Sequence, residues 1–353
     1  MTLYVTTHVL DANDSTSPST RLRFADIDAR VARARNHTMM SVIHLSPRPS
    51  PRRSRARARR AEPEPPSQAR GCAWDQETCW RAAKGGHLEV LKWAKTAGCL
   101  FDESTCAGAA AAGNLELLRW TRAKGCPWDA LTCAFAAKGG HLEVLKWARG
   151  NGCPWNEETC AYAAEGGHLE VLKWARANGC PWDSETCAAA ARGDHLETLK
   201  WARARACPWT AETCARAASF GHLRVLRWAS KKGCPWSAET CARAASFGQL
   251  ETLQWLRRNG CPWDERTCVG AALGGHSDVL RWARARGCPW NESACAGAAF
   301  GGHLETLRWL RSNGCPWDEQ TCLDAAREGH LRVFEWALRE GAPNGIWSDS
   351  ENE

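Results

Sequence analysis

The stretch CPWDSETCAAAARGDHLETLKWARARA, residues 180–206, decides the fold because close copies of it fill most of the chain. Cysteines recur every 27 residues in two series, and a tryptophan series from Trp93 to Trp336 keeps the same period without a gap. A fixed period without insertions is typical of a stacked repeat array. The sequence therefore predicts ten units, which start near Cys72, Cys99, Cys126, Cys153, Cys180, Cys207, Cys234, Cys261, Cys288 and Cys315.

Each unit carries the signals of two helices. Asp183 belongs to the residue types that cap helix N-termini, and Pro181 just before it disfavours helix, so a helix starts there. The alanine-rich segment that follows lets a neighbouring helix approach closely, and Gly193 ends it. A second helix then begins near His195 and shows an apolar face at helical spacing.

The second helix ends at a glycine in nine of the ten units. Glycine adopts the left-handed conformation of a helix C-terminus at little cost. Unit five has Ala206 at this place. We expect local strain or a shifted turn there.

The motifs of the unit resemble the ankyrin repeat family. AAEGGHLEVLKWARANGC, residues 163–180, follows the pattern of the second half of an ankyrin repeat, and ETCAYAA, residues 158–164, aligns with the TPLHxAA motif. The unit is shorter than the family's repeat of about 33 residues, and the missing stretch is where the family has its β-hairpin finger. The resemblance implies an all-α solenoid of ten stacked helix-turn-helix ankyrin-like repeats, with CPW loops and little or no strand.

The charge of the chain is concentrated before the repeats. Residues 1–70 hold 13 arginines, no lysine and 6 acidic residues, which accounts for the whole net charge of +7. Such a segment, rich in Arg, Pro and Ser, predicts a disordered leader over 1–70, before an array over 71–345 and an acidic disordered tail over 346–353. A basic cluster in the leader suggests an import signal or an RNA contact, with a solvated linker as the alternative: Arg52, Arg53, Arg55, Arg57, Arg59 and Arg60.

The repeated cysteines, histidines and tryptophans favour structural roles. The six-residue gap between the cysteines of a unit is a poor match to zinc sites, and Asn114 and Gln249 replace the histidine in two units, so no metal site is predicted. Equivalent cysteines of successive units are expected to lie too far apart for a disulfide. A disulfide within a unit, such as Cys153 with Cys160, stays geometrically possible. We interpret the cysteines as small buried residues and the histidines as fixing the turn between the two helices. Nineteen of the 21 tryptophans lie at two repeat positions, which favours packing.

No catalytic motif is found in the units. Histidine recurs at one structural position without a distinctive nucleophile, and no phosphate-binding glycine loop is present in the sequence. The sequence therefore predicts no enzyme and no cofactor. No segment approaches the run of about 20 apolar residues that crosses a membrane, and we expect a monomeric intracellular protein, in the cytoplasm or also in the nucleus.

The positions that vary between units are candidates for partner contacts, because repeat-locked residues build the core. These positions lie two residues after the second cysteine and at the end of the first helix. Aromatic and arginine side chains there are typical interface anchors, with neutral drift as the alternative. The candidate residues, centred on units three to seven, are Phe135, Tyr162, Arg216, Phe220, Arg243, Phe247, Leu273 and Phe300.

Three functions follow in order of preference. The first is a non-catalytic scaffold that binds a protein partner on the variable first-helix face. The second is a nuclear, nucleic-acid-associated protein that acts through the arginine-rich leader, since the rest of the chain is electrically neutral. The third is a thiol or metal-binding protein.

Overall fold

The computed structural model describes residues 76–343. The predicted disordered leader with its arginine cluster, the start of the first unit at Cys72, and the acidic tail lie outside the described residues.

All the regular secondary structure in the described range is helical. It contains twenty helices of nine residues each and no strand, and none of these helices is long and apolar enough to cross a membrane. This confirms the predicted all-α repeat fold without a hairpin finger. The helices are α1 Gln76–Lys84, α2 Leu88–Thr96, α3 Glu103–Ala111, α4 Leu115–Ala123, α5 Ala130–Lys138, α6 Leu142–Gly150, α7 Glu157–Glu165, α8 Leu169–Ala177, α9 Ser184–Arg192, α10 Leu196–Ala204, α11 Ala211–Ser219, α12 Leu223–Lys231, α13 Ala238–Ser246, α14 Leu250–Arg258, α15 Glu265–Leu273, α16 Ser277–Ala285, α17 Glu292–Phe300, α18 Leu304–Ser312, α19 Glu319–Arg327 and α20 Leu331–Arg339.

The odd-numbered helices, the first of each repeat, stack directly on one another along the array. Their alanines allow this close approach, and Ala163 and Ala164 in α7 are fully buried. Each even-numbered helix packs on the first helix of its own repeat through buried leucines such as Leu172. One core cluster extends through nearly all the repeats, and a small second cluster closes the last one.

The predicted N-cap residues lie where the first helices begin. The Asp183 carboxylate accepts a hydrogen bond from the backbone N–H of Glu185 at 3.0 Å, and Asp102, Asp129 and Asp264 do the same in their repeats. The other described caps share the extended N-cap backbone, although Asn156, Thr210, Asn291 and Asp318 accept no such bond through the side chain. The predicted helix starts are therefore confirmed, with capping bonds in only some repeats.

The turn at Ala206 carries the predicted strain. Ala206 has φ 60°, in the left-handed region where equivalent positions have glycine. The turn itself is not shifted, because the N–H of Cys207 donates to the carbonyl of Ala202 at 3.1 Å, as Cys180 does to Ala175 at 3.0 Å. The repeat contacts thus hold an alanine in an unfavourable backbone conformation.

Replacement of Ala206 by glycine is expected to stabilise the protein. Relief of the left-handed strain is worth about 1 to 2 kcal/mol, and the extra freedom of glycine in the unfolded chain offsets part of it, so a net gain of roughly 0.5 to 1 kcal/mol is expected. Urea unfolding followed by circular dichroism measures this. The control is Ala204→Gly in the last turn of α10, which should lower stability; an Ala206→Gly protein no more stable than the wild type would contradict the strain.

The tryptophans pack as predicted, in pairs within each of repeats three to ten, while Phe101 takes one place of the pair in repeat two. Trp182 and Trp201 meet edge to face with ring centroids 5.9 Å apart. The Arg176 guanidinium of the preceding repeat lies 4.2 Å from the Trp182 ring centroid and donates to the carbonyl of Cys180. This arginine clamp joins consecutive repeats along most of the array.

Repeat six departs from this arrangement. Ser230 stands where the other repeats except the last have arginine or lysine, and Trp236 receives no guanidinium in the described structure. Cys234, which begins repeat seven, is 6% exposed, whereas Cys180 and Cys207 are fully buried. The junction between repeats six and seven therefore lacks one contact that its neighbours have.

Candidate protein-binding surface

Four of the candidate residues form a row at one end of four consecutive first helices. Phe220 and Phe247 directly follow α11 and α13, while Leu273 and Phe300 are the last residues of α15 and α17. Their exposed fractions lie between 41% and 49%, although large apolar side chains are usually buried. We call Phe220, Phe247, Leu273 and Phe300 the apolar ridge.

Neighbouring groups hold the aromatic end of the ridge in place. The rings of Phe220 and Phe247 are 5.7 Å apart between centroids. Phe220 also stacks on the His222 imidazole at 5.9 Å, and the Arg192 guanidinium lies 5.7 Å from its ring centroid. Contacts of this kind reduce the side-chain entropy that a partner would have to freeze on binding.

Phe135 and Tyr162 pack against each other in repeats three and four, apart from the ridge. Their ring centroids are 5.6 Å apart, and Phe135 is half-buried. Tyr162 is only 7% exposed, and the Lys138 ammonium covers its ring at 4.9 Å. Little of Tyr162 is therefore available to a partner, and its role in the array is packing.

The two candidate arginines are engaged in ion pairs. Arg216 contacts Glu185 of the preceding repeat at 2.6 Å and Glu212 of its own helix at 2.8 Å, and its side chain is mostly covered. Arg243 contacts Glu239 at 2.7 Å and is more exposed. Arg216 thus links two repeats, whereas Arg243 keeps part of its surface open.

The histidines also make contacts between repeats, which the sequence did not predict. The Nε2 atom of His222 lies 2.9 Å from the carbonyl oxygen of Arg192, at the end of the first helix of the preceding repeat. His141 and His330 make the same bond to Ala111 and Phe300. These bonds satisfy helix C-terminal carbonyls that would otherwise lack partners. Burial lowers the pKa of His168 and His303 below the ordinary value, which favours the neutral ring.

The described cysteines lie in the core, and all except Cys99 are buried. Among residues 76–343, no group of three or more histidine, cysteine or acidic side chains is arranged to hold a metal ion. The cysteines instead approach one another in pairs across repeat boundaries, and this arrangement was not predicted from the sequence.

Comparison with solved structures finds similar chains. No protein-family model matches the chain, and no curated protein matches it. The crystal structure of the human ASB11 ankyrin repeat domain is similar to it, with 16% sequence identity, a TM-score of 0.36, and coverage of 44% of this chain and 84% of that chain. By its own repeat geometry, the described part of the chain is a helical repeat array consistent with ankyrin-like repeats.

Proposed function

We propose that the array is a non-catalytic scaffold that binds a protein partner on the apolar ridge. The observation that carries the proposal is the exposure of four large apolar side chains at the same end of the first helix in repeats six to nine. An exposed row of apolar residues is typical of an interaction surface. Earlier repeats have charged or small residues at these positions, so the repeat fold itself does not require the ridge.

The second helices support the choice of the first-helix face, because their own exposed surface carries charged rather than apolar side chains. Lys146, Lys173 and Lys200 form exposed ion pairs with the glutamates three residues before them, at 2.6 to 2.8 Å. Exposed pairs of this kind keep a helix face solvated and contribute little to binding. The ridge is therefore the better candidate for contact with a partner segment that presents apolar side chains.

Arg243 and Phe135 complete the proposed surface as flanking contacts. Arg243 is the more exposed of the two candidate arginines, and Phe135 keeps a partly open ring. Nucleic-acid binding through the leader stays a prediction from sequence, because Arg52 to Arg60 lie outside the described residues. The intracellular, monomeric state is likewise part of this proposal.

The ridge is tested by removing its apolar surface in the full chain. The wild type is used to capture proteins, one captured protein is purified, and its affinity is measured for a variant with Phe220, Phe247, Leu273 and Phe300 all replaced by serine. We expect affinity to fall at least tenfold, about 1.4 kcal/mol, because buried aromatic anchors commonly contribute more than 1 kcal/mol each.

The control for this experiment lies on the second helices. A variant with Lys146, Lys173 and Lys200 replaced by serine should keep its affinity, and both variants should keep the wild-type circular dichroism spectrum. An unchanged affinity for the folded ridge variant would remove the proposed site.

A further inference from the structure

Nine cysteine pairs run through the described array, each crossing a repeat boundary. The sulfur of Cys79 in α1 lies 3.0 Å from the sulfur of Cys99, which begins the next repeat. In every inner pair the cysteines are likewise twenty residues apart, and each thiol shifts the pKa of the other or has its own pKa shifted by it. These pairs are Cys106 with Cys126, Cys133 with Cys153, Cys160 with Cys180, Cys187 with Cys207, Cys214 with Cys234, Cys241 with Cys261, Cys268 with Cys288, and Cys295 with Cys315.

This pairing replaces the within-unit alternative. Cys160 is the neighbour of Cys180 in the next repeat rather than of Cys153 in its own. Stacking of the repeats brings the first-helix cysteine against the loop that enters the following repeat. Two sulfurs in contact are close enough for covalent bonding after a small movement.

The surroundings of the pairs favour a neutral product. Cys160 and Cys180 are fully buried, and the Cys180 thiol donates to the carbonyl oxygen of Asn156 at 3.3 Å. A metal ion would need ligands beyond two thiolates, and no group of three or more histidine, cysteine or acidic side chains is arranged to hold one among residues 76–343. A disulfide carries no charge, so oxidation of the pair suits the site better than metal binding.

The first pair differs from the others in its access to solvent. Cys99 is half-buried, whereas the loop cysteines of the inner pairs are buried. It also belongs to the first described repeat boundary, and terminal units of a repeat array open more easily than central ones. A reagent in solution therefore reaches Cys99 before it reaches the inner sulfurs.

We propose that Cys79 and Cys99 form a reversible disulfide by exchange with a small-molecule disulfide such as oxidised glutathione. The Cys99 thiolate attacks one sulfur of that disulfide, forms a mixed disulfide and releases one small thiol. The Cys79 thiolate then attacks the Cys99 sulfur and releases the second small thiol. Two protein thiols are oxidised, one disulfide is reduced to two thiols, and the two protons pass to the released thiolates.

The two thiols of an inner pair differ in their pKa. The hydrogen bond with Cys180, followed by burial, raises the pKa of Cys160, and the same bond lowers the pKa of Cys180. The pKa values of Cys234, Cys288 and Cys315 are lowered by the same kind of contact. In the pair of Cys106 and Cys126 the helix cysteine, Cys106, has the lowered pKa and Cys126 the raised one.

The disulfide would link the first repeat to the second. It joins α1 to the loop before α3 and closes a chain segment that contains α2. A crosslink of this kind restricts the unfolded chain and keeps the first repeat docked on the second. Oxidation should therefore protect the first two helices from opening while it leaves the rest of the array unchanged.

The experiment uses the full chain incubated with mixtures of oxidised and reduced glutathione, then alkylated, digested and analysed by mass spectrometry. In one fixed mixture we expect the peptides of Cys79 and Cys99 to become linked, with loss of two hydrogens, sooner than those of Cys160 and Cys180. Cys322 is the internal control, because Ala342 stands twenty residues after it and offers no thiol. Cys322 should stay free for alkylation after denaturation.

Two outcomes would overturn the proposal. Both cysteines could remain alkylatable in a mixture that fully oxidises the inner pairs, or Cys99 could carry only a glutathione adduct with Cys79 still free. The spacing of the pairs is checked in the folded protein with Ala342→Cys, which supplies a thiol twenty residues after Cys322. This variant should form a linked peptide with Cys322, and its failure to do so would show that the twenty-residue register does not permit a bridge.

Discussion

Replacement of Gly140 by alanine is expected to lower the free energy of unfolding by roughly 2 to 3 kcal/mol, from left-handed strain and the loss of one hydrogen bond. Gly140 has φ +75°, and a Cβ atom on it would lie 2.5 Å from Nδ1 of His168 in the next repeat. The whole imidazole would have to move, and it is held by a hydrogen bond to the backbone of Lys138. Urea unfolding followed by circular dichroism measures the loss.

Gly152 provides the matched control for this prediction. It has φ +83°, but a Cβ atom there would meet nothing within 4 Å. Gly152→Ala should therefore lose only about 1 to 2 kcal/mol, the cost of the left-handed backbone. If the two alanine variants were equally stable, the histidine contact between repeats would contribute nothing measurable.

Truncation of Leu172 to alanine should cost about 2 to 5 kcal/mol, because it leaves a cavity in a close-packed core. Leu172 lies in α8, in the middle of the array, and is fully buried. The first helices around it are lined by alanines, which are too short to fill the space. The loss is measured by urea unfolding of the full chain.

Leu331→Ala tests whether burial of the leucine determines how much stability its truncation removes. Leu331 begins α20 at the end of the described array and is 65% exposed. Its truncation should change stability by no more than about 0.5 kcal/mol. Similar losses for the two leucines would mean that the repeats do not share the packed core described above.

The helices were predictable from sequence because several local signals agree in every repeat. Asp183 marks a start, Gly193 an end, and the period fixes the spacing of all the copies. The strain at Ala206 was also predictable, since a single departure from glycine is visible against nine regular turns.

The contacts between repeats could not be obtained in this way. The thiol of Cys160 pairs with Cys180, and the ring of His222 binds the carbonyl of Arg192, across boundaries that a unit-by-unit reading does not cross. Their partners depend on how the units rotate when they stack. The exposure of the candidate residues also depends on stacking: Phe220 is exposed, whereas Tyr162 is buried and packs against Phe135 of the preceding repeat.

The serine at position 230 is expected to make unfolding of the array less cooperative at one junction. In a linear array, a repeat is coupled to distant repeats only through the junctions between neighbours. The junction between repeats six and seven lacks the arginine clamp on Trp236 and exposes Cys234 slightly more than the loop cysteines around it. Amide hydrogens beside this junction should exchange with solvent earlier than those of repeats four and five. The solenoid would then behave as two cooperative blocks, and Phe220 and Phe247 lie on opposite sides of the boundary between them.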